Sequence, residues 1–177
     1  GSPIEADQIC QGDEWILDGN GPDGTAWSWN GPANFNSSAQ SVTLNNVQPD
    51  ESGWYFVNGA VGTCPMLPDS VYLDVFPTPA SPVLSGFTEI CEGSDWSLSA
   101  EAASDGTIHW FHPYWGAFTG ETWPLDAVSL GAAGTYEVYV IESNCPSPVV
   151  TAELEIVPLP EVIAGNFGPI EVEHCPD

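Results

Sequence analysis

Residues 51–61 read ESGWYFVNGAV, and residues 132–142 read AAGTYEVYVIE. In each stretch a Gly opens a run of alternating side chains, and a Tyr stands two residues after that Gly. Such alternation over a short segment is typical of a half-buried β-strand. The two stretches therefore predict one kind of strand, which the chain builds twice.

The cysteines carry the same duplication through the rest of the sequence. Cys10 and Cys64 are 54 residues apart, as are Cys91 and Cys145, and the second pair follows the first by 81 residues. Self-similarity at a fixed offset indicates an internal repeat. We predict two homologous domains at 1–78 and 79–160, with a linker and the first strand of a third repeat at 161–177. Other residue pairs with the same offset are Trp15 and Trp96, Trp29 and Trp110, Gly53 and Gly134, and Tyr55 and Tyr136.

Composition narrows the class of protein. The 177 residues include 18 Gly and 17 Pro, and turn signals of this kind between short alternating strands predict an all-β sandwich. The chain has 25 acidic residues and no Lys or Arg, which gives a formal charge of −25. This charge argues against nucleic acid and anionic membrane surfaces as partners, because no Lys or Arg is present to neutralise phosphate. No apolar run reaches the length of a transmembrane span, so membrane insertion is not expected.

The spacing of the cysteines suggests how they pair. Cys10–Cys64 and Cys91–Cys145 is the arrangement that respects the repeat and keeps each bridge inside one domain. A loop of that length stabilises a small domain by roughly 4 kcal/mol in the chain-entropy model. Metal ligation is the rival interpretation, but the sequence has no Cys-x-x-Cys. Disulfides place the chain in an extracellular or periplasmic compartment, and Cys175 is left as a free thiol or an intermolecular bridge.

A family resemblance rests on these residues. ESGWY resembles the Asp/Glu-x-Gly-x-Tyr corner of immunoglobulin-like domains, and Trp29 and Trp110 fit the buried core Trp of that fold. The layout ICxG, SWNGPxxF and GxYxV…C is similar to the tandem Ig-like repeats of large secreted Bacteroidota surface proteins, such as gliding adhesins and type IX secretion cargo. Here the second Cys comes nine residues after the corner Tyr, so the bridge is expected to tie loops at one end of the sandwich.

The resemblance covers residues 3–160 and implies two tandem immunoglobulin-like β-sandwich domains, each with one disulfide. It implies a non-catalytic part of an extracellular stalk, adhesin or filament, whose partners are neighbouring repeats or copies of itself. A third possibility is a filament subunit whose segment 161–177 joins a neighbouring chain by strand addition.

One stretch suggests a binding function instead. HWFHPYWGAFTGETW, residues 109–123, concentrates six aromatic rings, and a strand can bury only alternate side chains. Exposed rings suit stacking on a glycan or contact with a protein, and packing over the end of the sandwich is the alternative. The candidate stacking residues are Trp110, Tyr114, Trp115 and Trp123.

The remaining motifs are weaker. Asp18, Asn20 and Asp23 lie in one turn and suggest a weak Ca²⁺ site, although the EF-hand spacing is absent and a plain hairpin or Asx turn is the alternative. Otherwise no cofactor and no metal are expected. Asn36 opens an N-glycosylation sequon, and Ser70 lies in an Asp-Ser-aliphatic motif of Bacteroidota O-glycosylation. No Ser/His/Asp or Cys/His set occurs in both repeats, so no enzyme is predicted.

Overall fold

The computed structural model describes residues 7–86 and 88–160 of the chain. The chain divides into two compact units between Thr78 and Pro79, called unit 1 and unit 2 below. The regular elements of the described residues are strands and two single 3₁₀ turns, at Pro49–Glu51 and Leu130–Ala132. The predicted all-β class is thereby confirmed. The predicted third-repeat strand at 161–177, with Cys175, lies outside the described residues.

Unit 1 is a sandwich of two sheets. Its larger sheet has the order β1-β8-β6-β3-β4, with β7 also paired to β6, and its smaller sheet pairs β2 with β5. The ladder between β1 and β8 is parallel. The strands are β1 (Asp7–Cys10), β2 (Trp15–Asp18), β3 (Thr25–Asn30), β4 (Asn36–Ser37), β5 (Ser41–Leu44), β6 (Gly53–Val61), β7 (Cys64–Pro65) and β8 (Asp69–Phe76).

Unit 2 builds its larger sheet in the corresponding order. That order is β10-β17-β15-β12-β13, with β16 paired to β15, and the second sheet is β14-β11-β9. β10 and β17 again run parallel. The strands are β9 (Val83–Gly86), β10 (Glu89–Cys91), β11 (Trp96–Glu101), β12 (Thr107–His112), β13 (Gly116–Thr119), β14 (Thr122–Leu125), β15 (Gly134–Glu142), β16 (Cys145–Pro146) and β17 (Val150–Val157).

Each core is filled by inward side chains of both sheets. Trp29 in unit 1 and Trp110 in unit 2 are 4% and 1% exposed, and each indole N–H is satisfied inside its own unit. Trp29 Nε1 donates to the Ala39 carbonyl at 2.9 Å, and Trp110 Nε1 donates to the Gly120 carbonyl at 2.7 Å. Burying one large apolar side chain stabilises the fold by about 1.5–3 kcal/mol. The remaining large members of the unit 1 core are Trp15, Leu17, Leu44, Val47, Tyr55, Leu73 and Val75.

The quoted Gly-x-Tyr stretches close each unit in the same way. Tyr55 and Tyr136 are fully buried, and each hydroxyl donates at 3.0 Å to a carbonyl four residues upstream, on Glu51 and Ala132 respectively. Burial raises the pKa of Tyr55 to about 12, with help from the negative charge of Glu51, and burial alone raises the pKa of Tyr136 to about 12. The hydroxyl thus ties the strand to the 3₁₀ turn that precedes it.

The glycine of this motif is required by close packing. Gly53 has φ +144°, and a Cβ there would lie 2.8 Å from the Cγ atom of Pro32. A side chain at this position would therefore be strained and would clash.

The predicted disulfide Cys10–Cys64 is wrong, because Cys64 is exposed and carries a free thiol. Strand register gives the reason. The pair Leu73–Gly53 in the β8–β6 ladder serves as the reference level. Cys10 pairs with Phe76, which is three residues from this level. Cys64 pairs with Val61, which is eight residues from this level in the opposite direction. At about 3.3 Å per residue these levels are roughly 35 Å apart. Bridged Cα atoms lie within about 7 Å of each other.

The predicted Cys91–Cys145 disulfide is also wrong, because the strand register places these two residues far apart. Cys91 is level with Val157, and Cys145 is level with Glu142 at the other end of the sheet. Both residues are disulfide-bonded, as Cys10 is, but they are too far apart to bond to each other. Cys10 and Cys64 therefore lie at opposite ends of the larger sheet of unit 1, and Cys91 and Cys145 lie at opposite ends of the larger sheet of unit 2, not in loops at one end.

Candidate functional site

The turn between β12 and β13 is organised around a buried histidine. His112 is only 3% exposed, and its ring centroid lies 4.5 Å from that of the corner residue Tyr136. Its Nδ1 accepts hydrogen bonds from the backbone N–H groups of Tyr114 and Trp115, each at 3.3 Å. One buried side chain thus connects the core of unit 2 to the tip of this hairpin.

The side chains that this turn holds outward form an exposed aromatic pair, Tyr114 and Trp115. Tyr114 is 75% exposed and Trp115 is 46% exposed. Their ring centroids are 5.2 Å apart at an interplanar angle of 82°. Because the backbone beneath the pair is hydrogen-bonded to a buried ring, the pair is a defined apolar surface. Rings of this kind stack on flat apolar faces of sugars or of protein side chains.

The predicted roles of Trp110 and Trp123 in ligand stacking are wrong. Both rings lie in the core of unit 2, where Trp123 is 6% exposed, and their centroids are 6.2 Å apart in an edge-to-face contact. Trp123 also packs at 5.3 Å against Tyr136. Neither ring offers a face to solvent, so of the four candidates only Tyr114 and Trp115 can meet a ligand.

The corresponding turn of unit 1 has a different chemistry. Between β3 and β4 it places Pro32, Ala33 and Asn34, and the last two adopt φ +50° and +60°. The one aromatic ring nearby, Phe35, packs at 5.3 Å against the corner residue Tyr55. The exposed aromatic pair is thus a property of unit 2.

Unit 1 carries an exposed aromatic face that was not predicted from the sequence. Trp54 and Phe56, which are 41% and 45% exposed, stack at 6.4 Å, and Tyr72 lies 5.3 Å from Trp54. Alternation could have found it, because side chains on either side of an inward corner Tyr must point outward. The matching positions of unit 2 are Thr135 and Glu137, so this face is not a common feature of both units.

The candidate calcium ligands Asp18, Asn20 and Asp23 are all exposed and lie at the end of β2 and in the connection to β3. The connection is shaped by packing, because a Cβ on Gly19 would lie 2.8 Å from the ring of Trp27. Across residues 7–86 and 88–160 no three His, Cys, Asp or Glu side chains come together as a metal site. Calcium binding at this turn stays a prediction.

The two modification sites lie on strands of unit 1. Asn36 is exposed on β4, where its Nδ2 donates to the Asn34 carbonyl at 3.1 Å. Ser70 is half-buried on β8 opposite Phe56, and its backbone N–H donates to the Asp69 carboxylate at 2.8 Å. Glycosylation at either residue stays a prediction.

An open groove on unit 2 has the composition of an ordinary surface. It encloses about 850 Å³, and its polar lining includes Ser99, Glu101, Asp105 and Thr122. The hydroxyls of Ser99 and Thr122 lie 3.0 Å apart, which occupies both with each other. Neither His nor Cys lines the groove. It therefore offers no Ser–His or Cys–His pair.

The comparisons with known proteins bear on the fold. No family model and no curated protein matches this sequence. Solved structures do match. A chain in the crystal structure of a mouse coronavirus receptor-binding domain complexed with its murine receptor has a TM-score of 0.53 at 14% identity, over 85% of this chain and 96% of that chain.

Two further structures agree. A marsupial T cell receptor has a TM-score of 0.52 at 12% identity, over 89% of this chain and 72% of that chain. Extracellular domains 3–5 of Drosophila OTK have a TM-score of 0.50 at 15% identity, over 86% and 59%. The fold is immunoglobulin-like. Identities this low establish the fold alone. Within the described residues, no helix has the length and apolarity needed to cross a bilayer.

Proposed function

We propose that this chain is a non-catalytic structural and adhesive module of an extracellular stalk, adhesin or filament, in which repeated Ig-like units resist tension. The observation that carries the proposal is the parallel pairing of the entering strand with the leaving strand. In unit 1 these are β1 and β8, and in unit 2 they are β10 and β17.

This pairing determines how a unit responds to stretching. The chain enters unit 1 at Asp7, level with Leu73, and leaves at Phe76, level with Cys10. Tension on the two ends therefore pulls β1 and β8 past each other along their common axis. The hydrogen bonds between parallel strands are evenly spaced, so this shear loads them together. An antiparallel hairpin pulled from its open end would break its bonds one after another.

The ladder continues beyond the strands at matching positions in both units. The Gln11 N–H donates to the Phe76 carbonyl at 2.8 Å, and the Glu92 N–H donates to the Val157 carbonyl at 2.8 Å. Gln11 and Glu92 are 81 residues apart in the sequence. The same bond thus closes the sheared edge of each unit.

The residues that the two units share support a role without catalysis. The aromatic pairs at the common offset, Trp15 and Trp96, Trp29 and Trp110, and Tyr55 and Tyr136, are all buried. The aromatic residues common to both units therefore belong to the two cores. The exposed aromatic surfaces differ between the units. The structural neighbours are also non-enzymatic Ig-like domains.

Stretching single molecules tests the proposal. The reduced full chain, held at its two ends, should give two unfolding events, each releasing about 70 residues, which is about 25 nm of contour at ~3.6 Å per residue. Reduction removes any disulfide that would shorten the released contour. Gradual extension without resolved events would refute a role in resisting tension.

Location and partners follow from the same features. Disulfide bonds at Cys10, Cys91 and Cys145 fit an oxidising, extracellular environment. Neighbouring repeats, copies of the chain or other surface proteins are the proposed partners, as in secreted Bacteroidota adhesins. The absence of Lys and Arg disfavours nucleic acid and acidic glycans, because no side chain supplies a compensating positive charge.

The exposed aromatic pair favours a second candidate function, recognition of a neutral glycan or a protein by unit 2. A glycan array probed with the intact chain tests it, with Trp115→Ala as the variant and Trp54→Ala as the matched control. Loss of binding in Trp115→Ala alone supports recognition by the pair. Equal signals from all three chains, or no signal from any, would remove this candidate.

A third candidate, a filament subunit joined through residues 161–177, concerns a segment outside the described residues. A chain ending at Pro160 tests it. That chain should fold with near-unchanged melting and lose any self-association. Unfolding of unit 2 in the truncated chain would show that the segment belongs to unit 2 instead.

A further inference from the structure

The exposed aromatic face of unit 1 consists of three rings on the outside of its larger sheet, Trp54 and Phe56 of β6 and Tyr72 of β8. Trp54 pairs directly with Tyr72 across the antiparallel ladder, and the planes of their rings are inclined by 71°. The rings of Trp54 and Phe56 are inclined by 30°. The three rings are therefore not coplanar, and they do not make the flat platform on which a sugar ring stacks.

A carboxylate belongs to the same face. Asp74 is half-buried and lies two residues after Tyr72 on β8, and alternate residues of a strand share a face. Asp74 is also the diagonal neighbour of Trp54 across the ladder. The Cα atoms of diagonal neighbours are about 7–8 Å apart, which long side chains can span. One guanidinium group, which stacks on aromatic rings and pairs with carboxylates, can thus contact both residues at once.

No side chain of unit 1 can supply that cation. Residues 1–78 contain Asp and Glu but no Lys, Arg or His, and the whole chain has a formal charge of −25. The residue that pairs with Asp74 on β1 is the neutral Gln8. A second copy of the chain also lacks Lys and Arg, and two copies repel each other. A positively charged partner of different composition therefore complements this face.

We propose that the exposed aromatic face of unit 1 binds an arginine-bearing segment of a partner protein. The guanidinium stacks on Trp54, because a cation is attracted to a ring face within about 6 Å of the ring centroid. It also donates hydrogen bonds to the Asp74 carboxylate. Unit 2 has Thr135 and Glu137 at the positions of Trp54 and Phe56, so the site is specific to unit 1. This interaction goes beyond the proposed mechanical role, which needs no partner on this surface.

Titration of the intact chain with a short arginine peptide tests the proposal. The probe is acetyl-Gly-Arg-Gly-Arg-Gly-amide, and the control peptide carries citrulline in place of each arginine, which keeps the shape and removes the charge. Two-dimensional NMR follows the indole N–H signals, and the Trp54 signal is identified by its absence in Trp54→Phe. The arginine peptide should shift this signal and bind about tenfold more tightly than the citrulline peptide. Equal binding of the two peptides would refute the proposal.

Matched variants separate this site from general attraction to an acidic protein. Trp54→Ala should weaken binding of the arginine peptide about five- to tenfold, and Asp74→Asn should weaken it about two- to fivefold. Trp115→Ala removes an exposed ring from unit 2, and Glu14→Gln removes an exposed charge next to β2 of the smaller sheet. Both controls should bind like the original chain. If each variant binds as tightly as its control, net charge alone holds the peptide and the proposal is wrong.

The same spectra report on folding, because the indole signals of the buried Trp15 and Trp29 should keep their positions in every variant. Should Trp54→Ala disturb them, the comparison of Asp74→Asn with Glu14→Gln decides. A shift of the Trp54 signal by a neutral oligosaccharide and not by the arginine peptide would assign the face to a sugar and overturn the proposal. The unfolding force of the chain does not depend on this peptide, so this proposal and the proposed function can fail separately.

Discussion

The substitution Tyr136→Phe isolates one hydrogen bond that closes unit 2. Phenylalanine keeps the ring contacts with Trp96 at 4.9 Å, with His112 at 4.5 Å and with Trp123 at 5.3 Å. It deletes only the hydroxyl that donates to the Ala132 carbonyl at 3.0 Å, a bond that is buried. Any loss of stability therefore reports on this bond and on the carbonyl that it leaves without a donor.

The magnitude follows from those two parts. A buried hydrogen bond contributes about 0.5–1.5 kcal/mol net, and a buried carbonyl left without a donor costs about 1–3 kcal/mol. We expect the free energy of unfolding of unit 2 to fall by about 1–2 kcal/mol, because the carbonyl can recover part of its loss by local relaxation. For a domain of this size each kcal/mol lowers the Tm by about 4–8 °C.

Urea unfolding followed by tryptophan fluorescence and near-UV circular dichroism measures the effect. Tyr114→Phe is the matched control, because it removes a hydroxyl from a side chain that is 75% exposed in the same unit. The control should change stability by less than about 0.5 kcal/mol. If Tyr136→Phe and Tyr114→Phe unfold alike, the corner hydroxyl does not stabilise unit 2 and this reasoning is wrong.

Three further predictions follow from the same contacts. Burial raises the pKa of Tyr55 and Tyr136 from 10.0 to about 12 in the folded state, so the stabilisation from their neutral hydroxyls is complete below pH 10 and is lost as the pH rises towards 12. The free energy of unfolding, measured from pH 8 to 12, should therefore decline above pH 10, and it should decline less steeply in Tyr136→Phe. A flat profile would contradict this prediction. Trp110→Ala should lower the free energy of unfolding of unit 2 by about 3–5 kcal/mol because it opens a cavity, whereas Trp115→Ala should change it little. Equal losses in chemical denaturation would refute the assigned burial. Reduction of all disulfides should leave both cores folded by near-UV circular dichroism, because Cys10 is not bonded to Cys64 and Cys91 is not bonded to Cys145. Loss of the aromatic signal on reduction would refute this prediction.

Local motifs explain what the sequence could predict. The corner at Tyr55 and Tyr136 depends on residues within four positions of each other, so the Gly-x-Tyr pattern was sufficient to anticipate it. The burial of Trp29 follows from the same pattern together with the alternation of its strand. The two-fold repeat needed only arithmetic on the positions of Cys and Trp.

Long-range register explains what the sequence could not predict. The distance between Cys10 and Cys64 is set by the parallel pairing of β1 with β8, and nothing in the four residues of β1 specifies that partner or its alignment. The burial of Trp123 depends on the pairing of β14 with β11, which decides the face of a four-residue strand. The support of Tyr114 and Trp115 by His112 was hidden because a histidine in an aromatic stretch has no local signature.

The resistance of the sheared edge to tension is tested most directly at Glu92. Glu92 occupies the second position of a turn whose third residue, Gly93, has φ +83°, a position where proline fits the backbone. Glu92→Pro removes the N–H that bonds to Val157, and the rigidity of proline offsets part of the equilibrium loss. Glu92→Ala keeps the N–H and is the matched control.

The decisive measurement compares the force at which unit 2 unfolds in these two variants with the free energy of unfolding of each in urea. We predict a lower unfolding force for Glu92→Pro than for Glu92→Ala, while their free energies of unfolding agree within about 1 kcal/mol. Equal unfolding forces in the two variants would show that the parallel edge does not carry the tension, and would contradict the proposed role.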